Sequence, residues 1–432
     1  MANATIPYII AEDGFYYIAY KEKVKVPYVV VSDKGIANGL SEEYNDGWDF
    51  GPDSYNTDSN DTIPYTKTVG IKEAIDYANP GPDATVSGEV MLIGIFGISE
   101  TIVMPNGCKV VIKSSGYERA AIYPIVSGIT LIQGTPGTQS SVFQFDGITF
   151  TTEEISGTTV SGGYGFYYQP TAFTSEIVRF NDCYFRGSWN NNVVSIIGVD
   201  DVRFDNCLFG GSLSTGPALY TINTITFTNC HYASYHDGIH IEGSNIGPSN
   251  TLTAIGCRFR TYSGIAPLQL TNYGNVSINL FGNTFDATEV FVLIDSTSTV
   301  PFLTMIGNQS LNNITSSPVS IQSGGVLNGW FERGNSFDLF LETTLAGETA
   351  GNVIAKVIDS NPGYKKILLY VNGYENDTTT DQSLTYPIAF STIAEITSNT
   401  TGLTVSTTNT ALAITSPDAT TIYSGIIVVE GY

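Results

Sequence analysis

Apolar and polar positions alternate with a period of two in short runs along most of this chain, and one stretch alone has the spacing of an amphipathic helix. The short runs recur on a longer scale. Phe180-Asn181-Asp182-Cys183-Tyr184-Phe185 and Phe204-Asp205-Asn206-Cys207-Leu208-Phe209 are near copies. Phe227-Thr228-Asn229-Cys230-His231-Tyr232 and Ala254-Ile255-Gly256-Cys257-Arg258-Phe259 repeat the pattern. Asparagine then takes the cysteine position in Gly282-Asn283-Thr284-Phe285, Gly307-Asn308-Gln309-Ser310 and Gly334-Asn335-Ser336-Phe337. The anchors 183, 207, 230, 257, 283, 308 and 335 are 24, 23, 27, 26, 25 and 27 residues apart. Phe145-Asp146-Gly147-Ile148-Thr149-Phe150 reads as an earlier turn followed by an insertion.

A repeat of about 25 residues made of short strands predicts a solenoid. Each turn is expected to hold about three strands, each paired in parallel with its equivalent one turn away at about 4.8 Å. Cysteines and phenylalanines would then form internal columns, and the asparagines a column that satisfies backbone groups at a turn. Five cysteines are too few for a disulfide scaffold. Stacked side chains point the same way and rarely meet bridge geometry, so free buried thiols are expected. The clear repeats span residues 141–340.

The helical stretch is Thr68 to Ala78, with Ile71, Ala74, Ile75 and Ala78 on one face, Thr68 as N-cap and Asn79-Pro80-Gly81 as the stop. It is expected to cover the open first turn of the solenoid. Strand-like runs follow at Glu89 to Phe96, Glu100 to Met104 and, after Pro105-Asn106-Gly107, Cys108 to Ile112. In this opening segment and in its repeat spacing, the chain resembles the pectate-lyase-like right-handed parallel β-helix superfamily, which includes many viral tailspikes. The resemblance covers residues 60–340. From Asn361 the alternating strands lengthen: Ile367 to Val371, Gln382 to Tyr386, Leu403 to Ser406, Ala411 to Thr415 and Ile426 to Val429, a pattern that predicts an antiparallel sandwich. Leu384-Thr385-Tyr386-Pro387-Ile388-Ala389-Phe390 and the ending Ser424 to Tyr432 look like the C-terminal domains of tail-fibre proteins, which implies trimerisation. Near the start, Asp13-Gly14 between Tyr8–Ala11 and Phe15–Ala19 predicts a hairpin.

The expected fold is all-β: a small N-terminal β domain and linker (1–60) that attaches to a larger particle, a right-handed parallel β-helix with a short capping helix (61–355), and a C-terminal antiparallel β-sandwich that trimerises (356–432).

Charge narrows the partners. The 18 basic and 41 acidic side chains give a net charge of −23, which repels nucleic acid. The longest apolar run, Val90 to Ile98, is about half of a bilayer span, so no membrane insertion is expected. Met1-Ala2-Asn3-Ala4-Thr5 lacks the regions of a secretory signal, yet the Tyr, Ser, Thr, Asn and Gly content suits an extracellular or virion surface. The acidic balance favours a neutral or basic ligand, or an acidic one held through a divalent cation; no other cofactor is implied.

All three histidines fall within His231-Tyr232-Ala233-Ser234-Tyr235-His236-Asp237-Gly238-Ile239-His240-Ile241-Glu242. With Ile239 and Ile241 inward, His240 and Glu242 face solvent, about 7 Å apart. Aligning neighbouring turns places His240 beside Tyr220 and Gln269, and Glu242 about 10 Å from Asp295. Inverting glycoside hydrolysis needs two carboxylates about 6.5–9.5 Å apart, which Asp237, Glu242, Asp295 and the pair Asp200-Asp201 could supply. His236-Asp237-Gly238-Ile239 resembles the first acidic motif of polygalacturonases, which implies Asp237 as a catalytic acid. The family's next Asp pair is replaced by Arg258-Phe259-Arg260, and its Gly-His-Gly and Arg-x-Lys motifs are absent. Trp189, beside Asn190, Asn191 and Asn192, is expected to be a stacking platform for a sugar ring, with Tyr220, His236 and Gln269 as further substrate contacts. Zinc is not expected at His236, His240 and Glu242, whose spacing fits no zinc pattern.

Together these features predict a homotrimeric viral tailspike or fibre protein that attaches the virion to a host-surface glycan or glycoprotein, with glycan cleavage as an added activity. A free polysaccharide-degrading enzyme and a non-enzymatic cellular adhesin are the alternatives.

Overall fold

The computed structural model describes residues 8–10, 16–18, 28–32 and 49–50 of the N-terminal region, and most of 68–432. Outside the description in the latter span lie 69, 85–86, 115–118, 138, 153–160, 171–175, 211–215, 235–237, 243–249, 262–265, 272–274, 287–289, 312–317, 323, 338–341, 348–349, 362–363, 376–381, 387–389, 391, 393 and 416–420.

The central region is a parallel β-helix whose turns each contribute strands to three long sheets. Sheet A includes Lys109–Ser114, Val142–Asp146, Ile177–Asn181, Asn250–Ile255, Val276–Phe281 and Leu303–Ile306. A tight corner leads to the nine-stranded sheet B, which includes Ile148–Thr151, Tyr184–Arg186, Leu208–Phe209, His231–Ser234, Arg258–Thr261 and Thr284–Asp286. Sheet C holds Phe166–Tyr168, Ile239–Glu242, Leu268–Thr271, Val292–Ile294 and Val319–Ile321. Sheets A and C are continuous through two long strands, Val194–Asp205 and Ala218–Thr228. Pairing is parallel with like residue on like residue: Phe145 on Phe180, Phe180 on Phe204, Phe204 on Phe227.

Identical side chains one rung apart fill the interior. The rings of Phe145, Phe180, Phe204 and Phe227 stack at 5.1, 5.0 and 4.9 Å. Phe150, Phe185 and Phe209 form a second pile at 5.0 and 4.8 Å. Each such contact adds about 0.5–1.5 kcal/mol to the burial itself.

The corner between sheets A and B explains the Cys/Asn anchors. Cys183, Cys207 and Cys230 donate their thiols to the carbonyls of Phe145, Phe180 and Phe204, one rung back, at 3.4, 3.2 and 3.2 Å. Asn283, Asn308 and Asn335 donate Nδ2 to the equivalent carbonyls of Ala254, Leu280 and Met305 at 2.9, 2.9 and 3.0 Å. From Cys257 onward the anchors also accept the preceding anchor's backbone N–H: Cys230 to Cys257 Sγ at 3.4 Å, Cys257 to Asn283 Oδ1 at 2.8 Å, Asn283 to Asn308 Oδ1 at 2.9 Å and Asn308 to Asn335 Oδ1 at 2.9 Å. All five cysteines are buried and free, as the stacked geometry predicts. The residue before each anchor has a left-handed backbone: Asp182, Asn206 and Asn229 at φ 51, 53 and 51°, then Gly256, Gly282, Gly307 and Gly334 at 63, 60, 66 and 66°. Gly, Asn and Asp are the residues that adopt this conformation at least cost, which fixes the x-Cys/Asn dipeptide.

The helix runs from Ile71 to Ala78, and Ile71, Ala74, Ile75 and Ala78 are buried in the core. It packs against Tyr28–Ser32, Gly88–Ile93 and Ile102–Met104. Thr68 is not its N-cap. Gly70, at φ 82°, precedes the helix without a side-chain cap, and Thr68 supplies its carbonyl to Ile71 N–H at 3.1 Å. A left-handed glycine here turns the chain into the helix directly. Tyr8–Ile10 and Tyr16–Ile18 pair antiparallel; the Asp13-Gly14 turn lies outside the described residues. Tyr28–Ser32 joins the solenoid, pairing in parallel with Glu89–Ile93.

After the solenoid come a five-stranded and a three-stranded antiparallel sheet. The former is ordered Glu342–Ala346, Ala350–Asn361, Tyr364–Glu375, Tyr423–Gly431, Glu395–Asn399, and the latter Gln382–Thr385, Ala411–Thr415, Thr404–Thr407. Ile367, Leu369, Val371, Ile427 and Val429 are buried in one, and Leu384, Leu412 and Ile414 in the other. Among the described residues no helix is long and apolar enough to cross a membrane.

Candidate functional site: the outward face of sheet C

The strand Ile239–Glu242 buries Ile239 and Ile241 and leaves His240 and Glu242 partly exposed. Its register is set where the preceding loop meets the neighbouring turn. A Cβ on Gly216 would lie 1.7 Å from the Gly238 carbonyl oxygen, so these two positions are level and close. Two residues on, Ala218 therefore pairs with His240, and Leu219 with Ile241. On the other side His240 pairs with Gln269 and Glu242 with Thr271.

This register corrects the expected neighbours of His240. Gln269 is beside it, but Tyr220 is not: continuing the pairing sets Tyr220 level with Glu242. Tyr220 is also only 6% exposed. Gln269 donates Nε2 to the Ala266 carbonyl at 3.2 Å, which fixes the orientation of its amide. Asp295 donates its backbone N–H to the Leu270 carbonyl at 3.1 Å, so it follows Thr271 in the stack, two rungs or about 10 Å from Glu242. Its Oδ1 accepts both the N–H and the hydroxyl of Thr297 at 2.9 Å, which anchors the carboxylate at the start of a turn.

Trp189 is a core residue and not an open stacking platform. It is 4% exposed and donates Nε1 to the Arg186 carbonyl at 3.2 Å. Its ring occupies the space over Gly162, where a Cβ would meet it at 2.6 Å. An apolar ring with room beside a glycine buries itself in preference to facing water. His236 and Asp237 lie outside the described residues. Asp201 stands on the sheet A part of its strand, accepting the Thr224 hydroxyl at 2.5 Å with Arg203 at 3.7 Å, in a different column from Glu242.

Two tyrosines outside the expected contacts belong to this face. Tyr167 lies in the column Gln133–Tyr167–Ser195–Ala218–His240, three rungs from His240. Its ring lies 5.0 Å from that of Tyr164, and its hydroxyl donates to Gln169 Oε1 at 2.9 Å. Burial, then Tyr167 and then Glu242 push the Tyr164 phenol above its ordinary pKa, so Tyr164 stands within electrostatic reach of Glu242. The alternation in Tyr164-Gly165-Phe166-Tyr167-Tyr168 was the signal: Phe166 and Tyr168 are inward, so Tyr167 is outward.

The face therefore combines tyrosine rings, an imidazole, an amide and two carboxylates along a flat ladder. Such a surface offers apolar contact to sugar rings and hydrogen-bond acceptors to their hydroxyls. Among the described residues no group of three or more His, Cys, Asp or Glu gathers as a metal site.

No family model and no curated protein matches the chain. Solved structures that align with it include the Dettilon tailspike protein, at 12% identity and a TM-score of 0.20, over 84% of this chain and 93% of that one. Another is the enzymatically active domain of tailspike protein 4 of bacteriophage CBA120, at 10% identity and a TM-score of 0.24, over 84% of this chain and 63% of that one. At such scores the likeness carries no weight for function, and the parallel fold rests on the strand registers themselves.

Proposed function

We propose that this chain is a tailspike-type attachment protein that binds a host-surface glycan along the outward face of sheet C. One observation carries the proposal: His240 and Gln269 stand side by side, Glu242 and Asp295 follow in the adjoining column, and Tyr167 lies in the first column, three rungs from His240. A regular ladder of about 4.8 Å presents these groups at intervals that suit an extended saccharide. The carboxylates favour a neutral or basic sugar, or one bridged through a divalent cation. The C-terminal sheets supply self-association into a trimer, and three weak faces then act with avidity. The N-terminal region is assigned to attachment to the particle. Binding of extracted host polysaccharide to the full chain, with Glu242→Gln and His240→Ala as variants, tests this: each is expected to weaken binding about tenfold, the worth of one charge-assisted hydrogen bond. Unchanged binding in both would remove the site, and a monomer in light scattering would remove the trimer.

The presence of two carboxylates, Glu242 and Asp295, two rungs apart on one face supports a second reading, inverting hydrolysis of the bound glycan, in which the side chains must close the rung distance of about 10 Å to within about 9.5 Å. In that case oligosaccharides accumulate with the wild-type chain and not with Glu242→Gln or Asp237→Asn. Binding without products would leave an adhesive protein.

A further inference from the structure

The chain carries an excess of 23 negative charges, so a basic surface is an exception within it. Sheet B has one. Among the described residues, outward positions between Tyr184 and Asp286 hold Arg186, His231, Arg258 and Arg260 against one carboxylate, Asp286. His231 and Arg258 are direct cross-strand neighbours, as are Arg260 and Asp286. Asp286 Oδ2 is shared by Arg258 Nη2 at 3.0 Å and Arg260 Nε at 3.5 Å, so one carboxylate faces two guanidinium groups and leaves a positive excess. Both arginines remain 47% and 43% exposed. At the other end Arg186 lies over the Tyr184 ring, 5.4 Å from its centroid.

Small residues separate the two basic ends. Gly210 donates its N–H to the Phe185 carbonyl at 3.0 Å, and Ala233 pairs with Arg260, which makes Arg186, Gly210, Ala233 and Arg260 successive members of one column. The ends of this column are three rungs, about 14 Å, apart. In this floor Gly210 itself is buried, and a Cβ there would make only ordinary contacts, none nearer than 3.8 Å. His231 borders the floor, and burial followed by Arg258 and Arg260 holds its imidazole below the ordinary histidine range. It is therefore a neutral donor or acceptor beside the cations at neutral pH.

We propose that this trough on sheet B, between Arg186 and the Arg258–Arg260 pair, is a second binding surface that takes an anionic oligosaccharide bearing carboxylate or sulfate groups about three rungs apart. The saccharide class rests on the glycan-binding reading of the chain; the preference for anions rests on the arginines. Arginine forks match carboxylate and sulfate oxygens, the Tyr184 edge and small floor admit a sugar ring, and the two surfaces divide the labour by charge: sheet C for uncharged sugar, sheet B for its acidic units.

Calorimetric titration of the full chain with hexagalacturonate, a heparin hexasaccharide, maltohexaose and inorganic phosphate tests the proposal. At least one anionic hexasaccharide is expected to bind, and to lose roughly tenfold in affinity in the double variant Arg258→Gln/Arg260→Gln and in Arg186→Gln. Gly210→Glu, which places a carboxylate in the floor, should lose at least as much without touching an arginine. Glu242→Gln should leave this binding unchanged. The proposal is overturned when neither anionic hexasaccharide binds, when the trough variants bind them as the wild type does, or when inorganic phosphate competes at equal concentration. Failure of the sheet C site alone appears instead as host-polysaccharide binding that ignores Glu242→Gln while the trough variants keep their effect.

Discussion

One column of the solenoid is built from two chemistries. From Cys183 to Cys257 the corner anchor is a thiol, and from Asn283 to Asn335 it is an amide. Both donate to a carbonyl one rung back, but the thiol contacts are 3.2–3.4 Å and the amide contacts 2.9–3.0 Å. The amides also bond to each other, Asn283 Nδ2 to Asn308 Oδ1 at 3.0 Å and Asn308 Nδ2 to Asn335 Oδ1 at 3.1 Å. The cysteine turns compensate with rings: the Phe145–Phe227 pile runs beside the thiols, and its column continues through Ala254, Leu280 and Met305 beside the amides. In the sheet A column, then, rings accompany most of the weak thiol ladder and aliphatic side chains the strong amide one, while Phe285, Phe291 and Phe337 keep ring contacts within the amide turns.

The largest effect is expected where the cysteine half has its packing. Phe204→Ala opens a cavity between two stacked rings and should cost about 3–5 kcal/mol in denaturant unfolding. Next, Asn308→Ala removes the acceptor of the Asn283 N–H and leaves buried groups unpaired, for about 2–3 kcal/mol. Cys207→Ala should cost less, about 1–2 kcal/mol, because a thiol is a weak donor and a small volume is lost. Were Cys207→Ala to cost more than Asn308→Ala, the division between the two halves would be wrong. Chemistry supplies a separate check. Burial pushes the Cys207 thiol well up, and the Cys207 thiol does the same to Cys230, so iodoacetamide should label the ladder at the rate of unfolding. The smallest effect is electrostatic. His231 has a folded pKa below its unfolded value of about 6.5, so its contribution is full above that pH and declines as pH falls toward the folded value. His231→Gln should flatten the pH dependence of stability in that window.

The ladder was legible because its period is strict: a stacked column admits few residue types, and Cys, Asn and Phe mark it directly. The strands Ile367 to Val371 and Ala411 to Thr415 were legible from alternation, and both fall within observed strands. The site was legible only in part. Alternation placed His240 and Glu242 outward, and the repeat placed Gln269 beside His240. The register that puts Ala218 in place of Tyr220 is a tertiary pairing between neighbouring turns, with no local signature in the sequence. Trp189 misled because its polar neighbours suggest solvent, whereas the cavity that receives it is made by Gly162, 27 residues earlier in the chain. The basic face of sheet B was hidden for a similar reason: Arg186, Arg258 and Arg260 are dispersed in sequence and gathered by the winding.

A crystal structure of the full chain with an oligosaccharide from its host surface tests the glycan-attachment account most directly. Sugar density is expected along sheet C, in contact with His240, Glu242 and Gln269. Density confined to the C-terminal sheets, with that face bare, would contradict it.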